Sequence, residues 1–372
     1  MKISKVEAFP LILERDFASA AGLAGSPNQL VGDNPYRWSR DYPALYSTRL
    51  EGVLVRITLE NGLIGWGETQ APLAPAVPAA IIQHLLAGVL EGEEFDGTRS
   101  RLEELYDRMY ATMRVRGQTG GFMLDAIAGI DLALWDLAGR IADKPVSQLI
   151  SDHPKVQVPA YLSGLAGTGK EGRLAFAKPF LDQGFRLIKL YYESDWPMLL
   201  ELMDQLPVET AIDALWHLPS MEAAEELDSR RCAWLECPYM PEEAALHFEL
   251  SRRIRTPIAL GESYRTPAEL QAVFPSASIL QPDLGRCGIT GTLRIAAMGK
   301  PIVPHVSIAF GPQIAAAIHV AAALDNCNQC EFNPKVLESA NRFAAPAIQM
   351  KDAAYKIPTL PGLGFETIKR PV

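Results

Sequence analysis

Long apolar runs are missing from this chain, and so is any surplus of basic residues. No hydrophobic stretch approaches the roughly 20 residues that cross a bilayer. The opening MKISKVEAFP lacks a signal-peptide core, so a cytoplasmic location is expected. The 35 Lys and Arg are outnumbered by 44 Asp and Glu, giving a net charge of −9. Such an acidic surface argues against nucleic acid or an anionic membrane as partner. An anionic substrate stays open, because a bound cation reverses the sign locally. Cysteine is scarce as well: five in 372 residues, an odd number clustered late, which excludes a disulfide framework. Cys327 and Cys330 form a CxxC, but no second pair completes a zinc site, and the pair leads into an apolar strand end instead of opening a helix. Buried thiols are the expectation.

What the chain does contain is a repeated unit. Between Leu187 and Phe332, seven short apolar runs each deliver one polar residue at or near the end: Lys189, Asp213, Glu236, Glu262, Asp283, His305 and Glu331. The spacing, about 21 to 26 residues, is that of one strand, one helix and two turns. Strand candidates lie near 157, 187, 211, 234, 258, 279, 302 and 329, which makes a closed parallel barrel. In such a barrel all strand ends open on one face, so these residues converge on one mouth.

The first 120 residues read differently. A strand is expected over 1–14 and a hairpin around Asn61-Gly62, followed by helices near 79–90 and 100–113, an α+β arrangement. The stretch 17–46, rich in small residues and aromatics such as Trp38, Tyr42 and Tyr46, is long for a loop and reads as a lid or insert. The segment FMLDAIAGIDLALWDLAGR is an amphipathic helix on which Asp125, Asp131 and Asp136 read as solvated or capping residues. GLAGTGK at 164–170 is close to a phosphate loop, but Glu171 stands where magnesium coordination needs Ser or Thr, so a Gly-rich turn is expected. The tail after 345 is turn-rich and should return to the N-terminal part.

The chemistry follows from residue types. Asp213, Glu236 and Glu262 on successive strand ends would repel one another unless a cation neutralised them, and three hard carboxylates suit Mg²⁺, with Mn²⁺ as substitute. Asp283 one repeat before His305 suggests a carboxylate that fixes the ring tautomer and makes a general base. Strand alternation puts Lys189 and Tyr191 on one inward face. His217, Trp38 and Tyr46 are candidate substrate contacts near the mouth.

These residues, together with GWGET, AIAGIDLALWDLAGR, GFRLIKLYY, WLECP, PIALGES, ILQPDLGRCGITG, VPHVSIAFGPQIAAAIH and LPGLGFE, closely resemble the mandelate racemase branch of the enolase superfamily. The resemblance implies a modified (β/α)₇β barrel over 121–344, capped by an α+β domain made of 1–120 and the tail 345–372. It implies Mg²⁺ on Asp213, Glu236 and Glu262, a His305–Asp283 base, and Glu331 as hydrogen-bond donor to the intermediate. It implies a small carboxylate substrate, a homo-oligomer, and chemistry that begins with removal of a proton α to a carboxylate. Three positions depart from the family's pattern: Tyr191 replaces the second lysine of Lys-x-Lys, Leu215 an Asn after the first metal ligand, and Cys237 an acidic residue. With one clear base, an acid-sugar dehydratase is expected. The alternatives are an epimerase, racemase or lactone cycloisomerase with Tyr191 as second base, and a catalytically silent metal-binding relative.

Overall fold

The computed structural model describes residues 1–14, 30–32, 34–39 and 44–369. Arg40, Tyr42 and most of the early part of the expected lid lie outside them. Strand β1 (Ile3–Glu14) pairs antiparallel with β5 (Arg49–Leu59), which turns at Asn61-Gly62 into β6 (Ile64–Thr69). Between β1 and β5, the described part of the lid forms a three-stranded sheet of β2 (Leu30–Val31), β3 (Tyr36–Ser39) and β4 (Leu45–Ser47). The helix Arg99–Arg114 and the long helix Gly121–Ala142 follow.

The barrel is built as its spacing implies. Strands β7 (Gln157–Ser163), β8 (Leu187–Tyr191), β9 (Glu209–Asp213), β10 (Cys232–Glu236), β11 (Ile258–Leu260) and β12 (Ile279–Leu280) pair in parallel, and β13 (Cys330–Phe332) pairs back onto β7. The position expected near 302 is reduced to single bridges, from Ile302 to Leu280 and to Cys327, and from His305 to Asp283. Pro301 and Pro304 explain this, since neither has an N–H to give a ladder. At the other end of the chain, residues 354–356 add antiparallel to β7, and the tail also bonds to the long helix through Leu363 and Phe365. No helix among the described residues is long and apolar enough to cross a membrane.

The long helix differs from the sequence expectation in one way. Asp125, Asp131 and Asp136 are buried, not solvated. Asp136 accepts from the Trp66 amide of β6, from Arg140 and from the Leu363 amide of the tail. Asp125 pairs with Arg265 at 2.9 Å. Asp131 accepts from both the amide and the hydroxyl of Thr290, where helix Leu284–Ala296 is broken by Gly288 at φ 68°. Its side chain thereby caps the second half of that helix, and burial pushes its pKa up to about 7. Three carboxylates on one helix thus tie the capping sheet, the tail and the barrel together. A count of polar residues along a helix cannot show that both its faces are covered.

GWGET owes its small residues to the same packing. A Cβ on Gly67 would fall on the Gly129 carbonyl of the long helix, so the helix lies flush on β6 only because no side chain stands there. Gly67→Ala is expected to lower the unfolding free energy by about 2–3 kcal/mol through overpacking. A urea unfolding midpoint unchanged from wild type would contradict this contact.

Candidate active site

A cavity of about 330 Å³ opens between the barrel mouth and the capping domain. Lys189, Tyr191, Asp213, Glu262, His305 and Glu331 line it. Glu236 and Asp283 lie directly behind, bonded to Lys189 and His305 respectively. The strand ends that the spacing singles out are therefore brought together.

Asp213, Glu236 and Glu262 end or follow β9, β10 and β11, and each offers an oxygen within 4.8 Å of the other two. All three are buried. Lys189 Nζ stands among them, 2.6 Å from Glu236, 3.8 Å from Asp213 and 3.0 Å from Glu331. The second Glu236 oxygen accepts from Trp234 Nε1 and Gln281 Nε2, which fixes that carboxylate. Burial, and then the charge on Glu236, hold the Asp213 carboxyl well above its ordinary range. One ammonium cannot balance three buried carboxylates, and the donor set is all oxygen. Both facts fit a hard divalent cation such as Mg²⁺.

The base sits beside this group. His305 Nδ1 lies 2.7 Å from Asp283 Oδ2, while the other Asp283 oxygen accepts from the Gly285 amide and Gln313 Nε2. With Asp283 holding the proton on Nδ1, Nε2 faces Glu262 at 3.3 Å and the cavity. Burial disfavours charge on the ring, but Glu262, Asp283 and Glu331 outweigh it and raise its pKa to about 10. A cation that took up the charge of Glu262 would weaken that pull and lower the pKa of the ring.

On the opposite side, Tyr191 Oη is 2.9 Å from Ser163 Oγ, which in turn donates to Glu331. Burial is the largest influence on Tyr191 and pushes its pKa up, so the phenol keeps its proton. Glu331 accepts on both oxygens, from Ser163 and Lys189 on one and from the Val306 amide on the other. Burial opposes its charge, yet Lys189 and His305 prevail and its pKa is lowered. In this arrangement both Glu331 oxygens act as acceptors.

The capping-domain model described as mandelate racemase / muconate lactonizing enzyme, N-terminal domain, matches residues 46–151, and the one described as enolase C-terminal domain-like matches 173–370. The chain belongs to the enolase superfamily, in its mandelate racemase / muconate lactonizing enzyme branch. It is 29% identical over 351 residues to a D-galactarolactone cycloisomerase of Agrobacterium fabrum, covering 84% of this chain and 88% of that one. It is 29% identical over 298 residues to a D-galactonate dehydratase of Cronobacter sakazakii, covering 72% and 74%. The solved structure of an enolase superfamily member from Agrobacterium tumefaciens superimposes with a TM-score of 0.89 at 31% identity, over 98% of this chain and 96% of that one.

Within this superfamily member, the substrate candidates divide. Tyr46 lines the cavity. Trp38 does not: it stands on β3, 56% exposed. His217 stacks on Tyr192 at 5.8 Å and is not part of the lining, whereas its neighbours Leu215 and Trp216 are. Both neighbours have left-handed φ, 51° and 58°. Such a backbone costs a non-Gly residue about 1–2 kcal/mol and suits Asn best, so Leu215 exchanges a favoured polar residue for an apolar patch of cavity wall. Ser163, Gln70, Arg286 and Ser307 also line or brace the cavity and were not singled out from the sequence. Ser163 at the end of the first barrel strand was open to the same strand-end reasoning, but an uncharged residue gives it little to hold.

A cation needs Asp213 ionised, and Asp213 resists ionisation. Mg²⁺ affinity should therefore weaken as pH falls through the raised pKa of Asp213, with protons released on binding. Calorimetric titration in buffers of different ionisation enthalpy measures both. Magnesium at about a hundred times its Kd should add about 2.7 kcal/mol of stability, and Asp213→Asn should abolish that gain in thermal unfolding. A pH-independent affinity would remove the assignment.

Proposed function

We propose that this protein is an Mg²⁺-dependent acid-sugar dehydratase, acting by β-elimination on a polyhydroxy carboxylate. The observation that carries the reading is the asymmetry of the site. His305 on Asp283 is a base, and the facing side offers only a locked ammonium and a protonated phenol. Inverting a carbon needs a base on each face, whereas eliminating water needs one base and one acid. The names of the two curated relatives support an acid-sugar lyase or cycloisomerase.

Asp213, Glu236 and Glu262 would hold the ion, which supplies positive charge for the carboxylate as its α-carbon becomes an enediolate. His305 Nε2 takes the α-proton, and Asp283 stabilises the imidazolium that results. Lys189 holds Glu236 and Glu331 in place and adds fixed positive charge beside the reacting carboxylate. The C–O bond at the β-carbon then breaks, and Tyr191, backed by Ser163, gives its proton to the departing oxygen, which leaves as water. The enol becomes a 2-keto-3-deoxy acid. If the departing oxygen belongs to a lactone ring, the same bond cleavage opens the ring. The cycloisomerase relative makes this the second reading.

The test is a panel of aldonates, aldarates and their lactones with Mg²⁺, followed by keto-acid formation and by ²H exchange in D₂O. Keto-acid formation is expected, and His305→Asn should reduce it by about 10²–10⁴-fold. Tyr191→Phe should slow elimination while ²H exchange at the α-carbon continues. Exchange with inversion and no keto acid would replace this reading with an epimerase. Wild-type rates in His305→Asn would remove the base.

A further inference from the structure

One cation of the cavity is not spent on the chemistry above. Arg286 lies one turn after Asp283 and lines the cavity, partly buried. Its Nε donates to the Gln70 side-chain oxygen, and its Nη1 donates to the Glu262 backbone carbonyl at 2.8 Å. Gln70 is itself buried. Its side-chain nitrogen donates to Ser307 and its backbone amide to the Gly285 carbonyl. The guanidinium is thus clamped by the end of the capping hairpin on one edge and by the barrel on another. Among the described residues, Nη2 has no hydrogen-bond partner and no carboxylate reaches the group within salt-bridge range. A fixed, planar cation with free donors on a cavity wall is a carboxylate-recognition element. Its bond to the ion site is made to the Glu262 backbone carbonyl and not to a carboxylate, whereas Lys189 sits among the oxygens of Asp213, Glu236 and Glu331.

We infer that Arg286 determines specificity by holding a second carboxyl function of the substrate, free or closed as a lactone carbonyl, so that the substrate is an aldarate or its lactone and not an aldonate. This rests on the acid-sugar reading and narrows it. Gln70 is the positioning residue that presents the guanidinium.

Binding tests it apart from turnover. In the His305→Asn protein loaded with Mg²⁺, affinities are measured by calorimetry for the matched pairs D-galactarate and D-galactonate, and D-glucarate and D-gluconate. At least one diacid should bind about 10- to 100-fold more tightly than its monoacid, the range expected for a charge-assisted contact. Arg286→Met should erase that preference, and Arg286→Lys should keep part of it. If Arg286→Met does not fold, as judged by loss of a cooperative thermal unfolding transition, the reduced preference of Arg286→Lys carries the test. Equal affinity within both pairs would overturn the inference. So would an equal loss for diacid and monoacid in either variant, which would put Arg286 on the reacting carboxylate. Diacid preference without turnover of any acid sugar by the wild-type protein would instead sink the dehydratase reading and leave the assignment of Arg286 standing.

Discussion

Four buried carboxylates, Asp213, Glu236, Glu262 and Glu331, share the site with one buried ammonium that reaches three of them, Asp213, Glu236 and Glu331, and the rest of the site is arranged around that imbalance. Two like charges 4 Å apart repel by about 4 kcal/mol even at an effective dielectric of 20. Lys189 relieves part of this and Trp234 and Gln281 relieve a little more at Glu236. Burial first, and then the repulsion that remains, raise the pKa of Asp213, and Glu262 pulls on His305. A site that resists being fully ionised is one that gains from a divalent cation. A cation bound there would also weaken the pull of Glu262 on the histidine, which couples the carboxylate cluster to the base.

Much of this was legible in the chain because a parallel barrel converts sequence period into spatial convergence. One polar residue at each strand end, repeated at the length of a βα unit, puts Lys189, Asp213, Glu236, Glu262, Asp283, His305 and Glu331 around one mouth, as the structure has them. The identity of each side chain then carries its chemistry. The short-range signals held too: Asn61-Gly62 turns a hairpin, and the helix expected over 100–113 is Arg99–Arg114.

What was not legible depends on direction and on partners. Trp38 and His217 have the composition of substrate contacts, but Trp38 is exposed on β3 outside the cavity lining and His217 stacks on Tyr192, while Trp216 takes the cavity wall through a left-handed backbone. Periodicity does not report a left-handed φ. Nor does it report that Asp131 is capping a helix 159 residues further on. The lowered pKa of Glu331 comes, against burial, from Lys189 and His305 first and then from Ser163 and Val306, none of which is near it in sequence.

The capping domain is more than a cover for the mouth. Glu68 of β6 is buried and accepts from the backbone amides of Phe310 and Gln313, at the entrance of helix Pro312–Ala323. Burial pushes its pKa up to about 8, although those amides favour its charge. The side chain of Gln313 then donates to Asp283, which orients His305. Two residues further along the same hairpin, Gln70 holds Arg286. One strand end of the capping domain therefore braces both the base and the proposed specificity residue. The flush contact of β6 on the long helix, made by Gly67 and Gly129, sets where that strand end lies. The Gly67–Gly129 contact thus bears on the aim of the catalytic histidine through a chain of direct contacts: helix to strand, strand to glutamate, glutamate to helix entrance, glutamine to aspartate to imidazole.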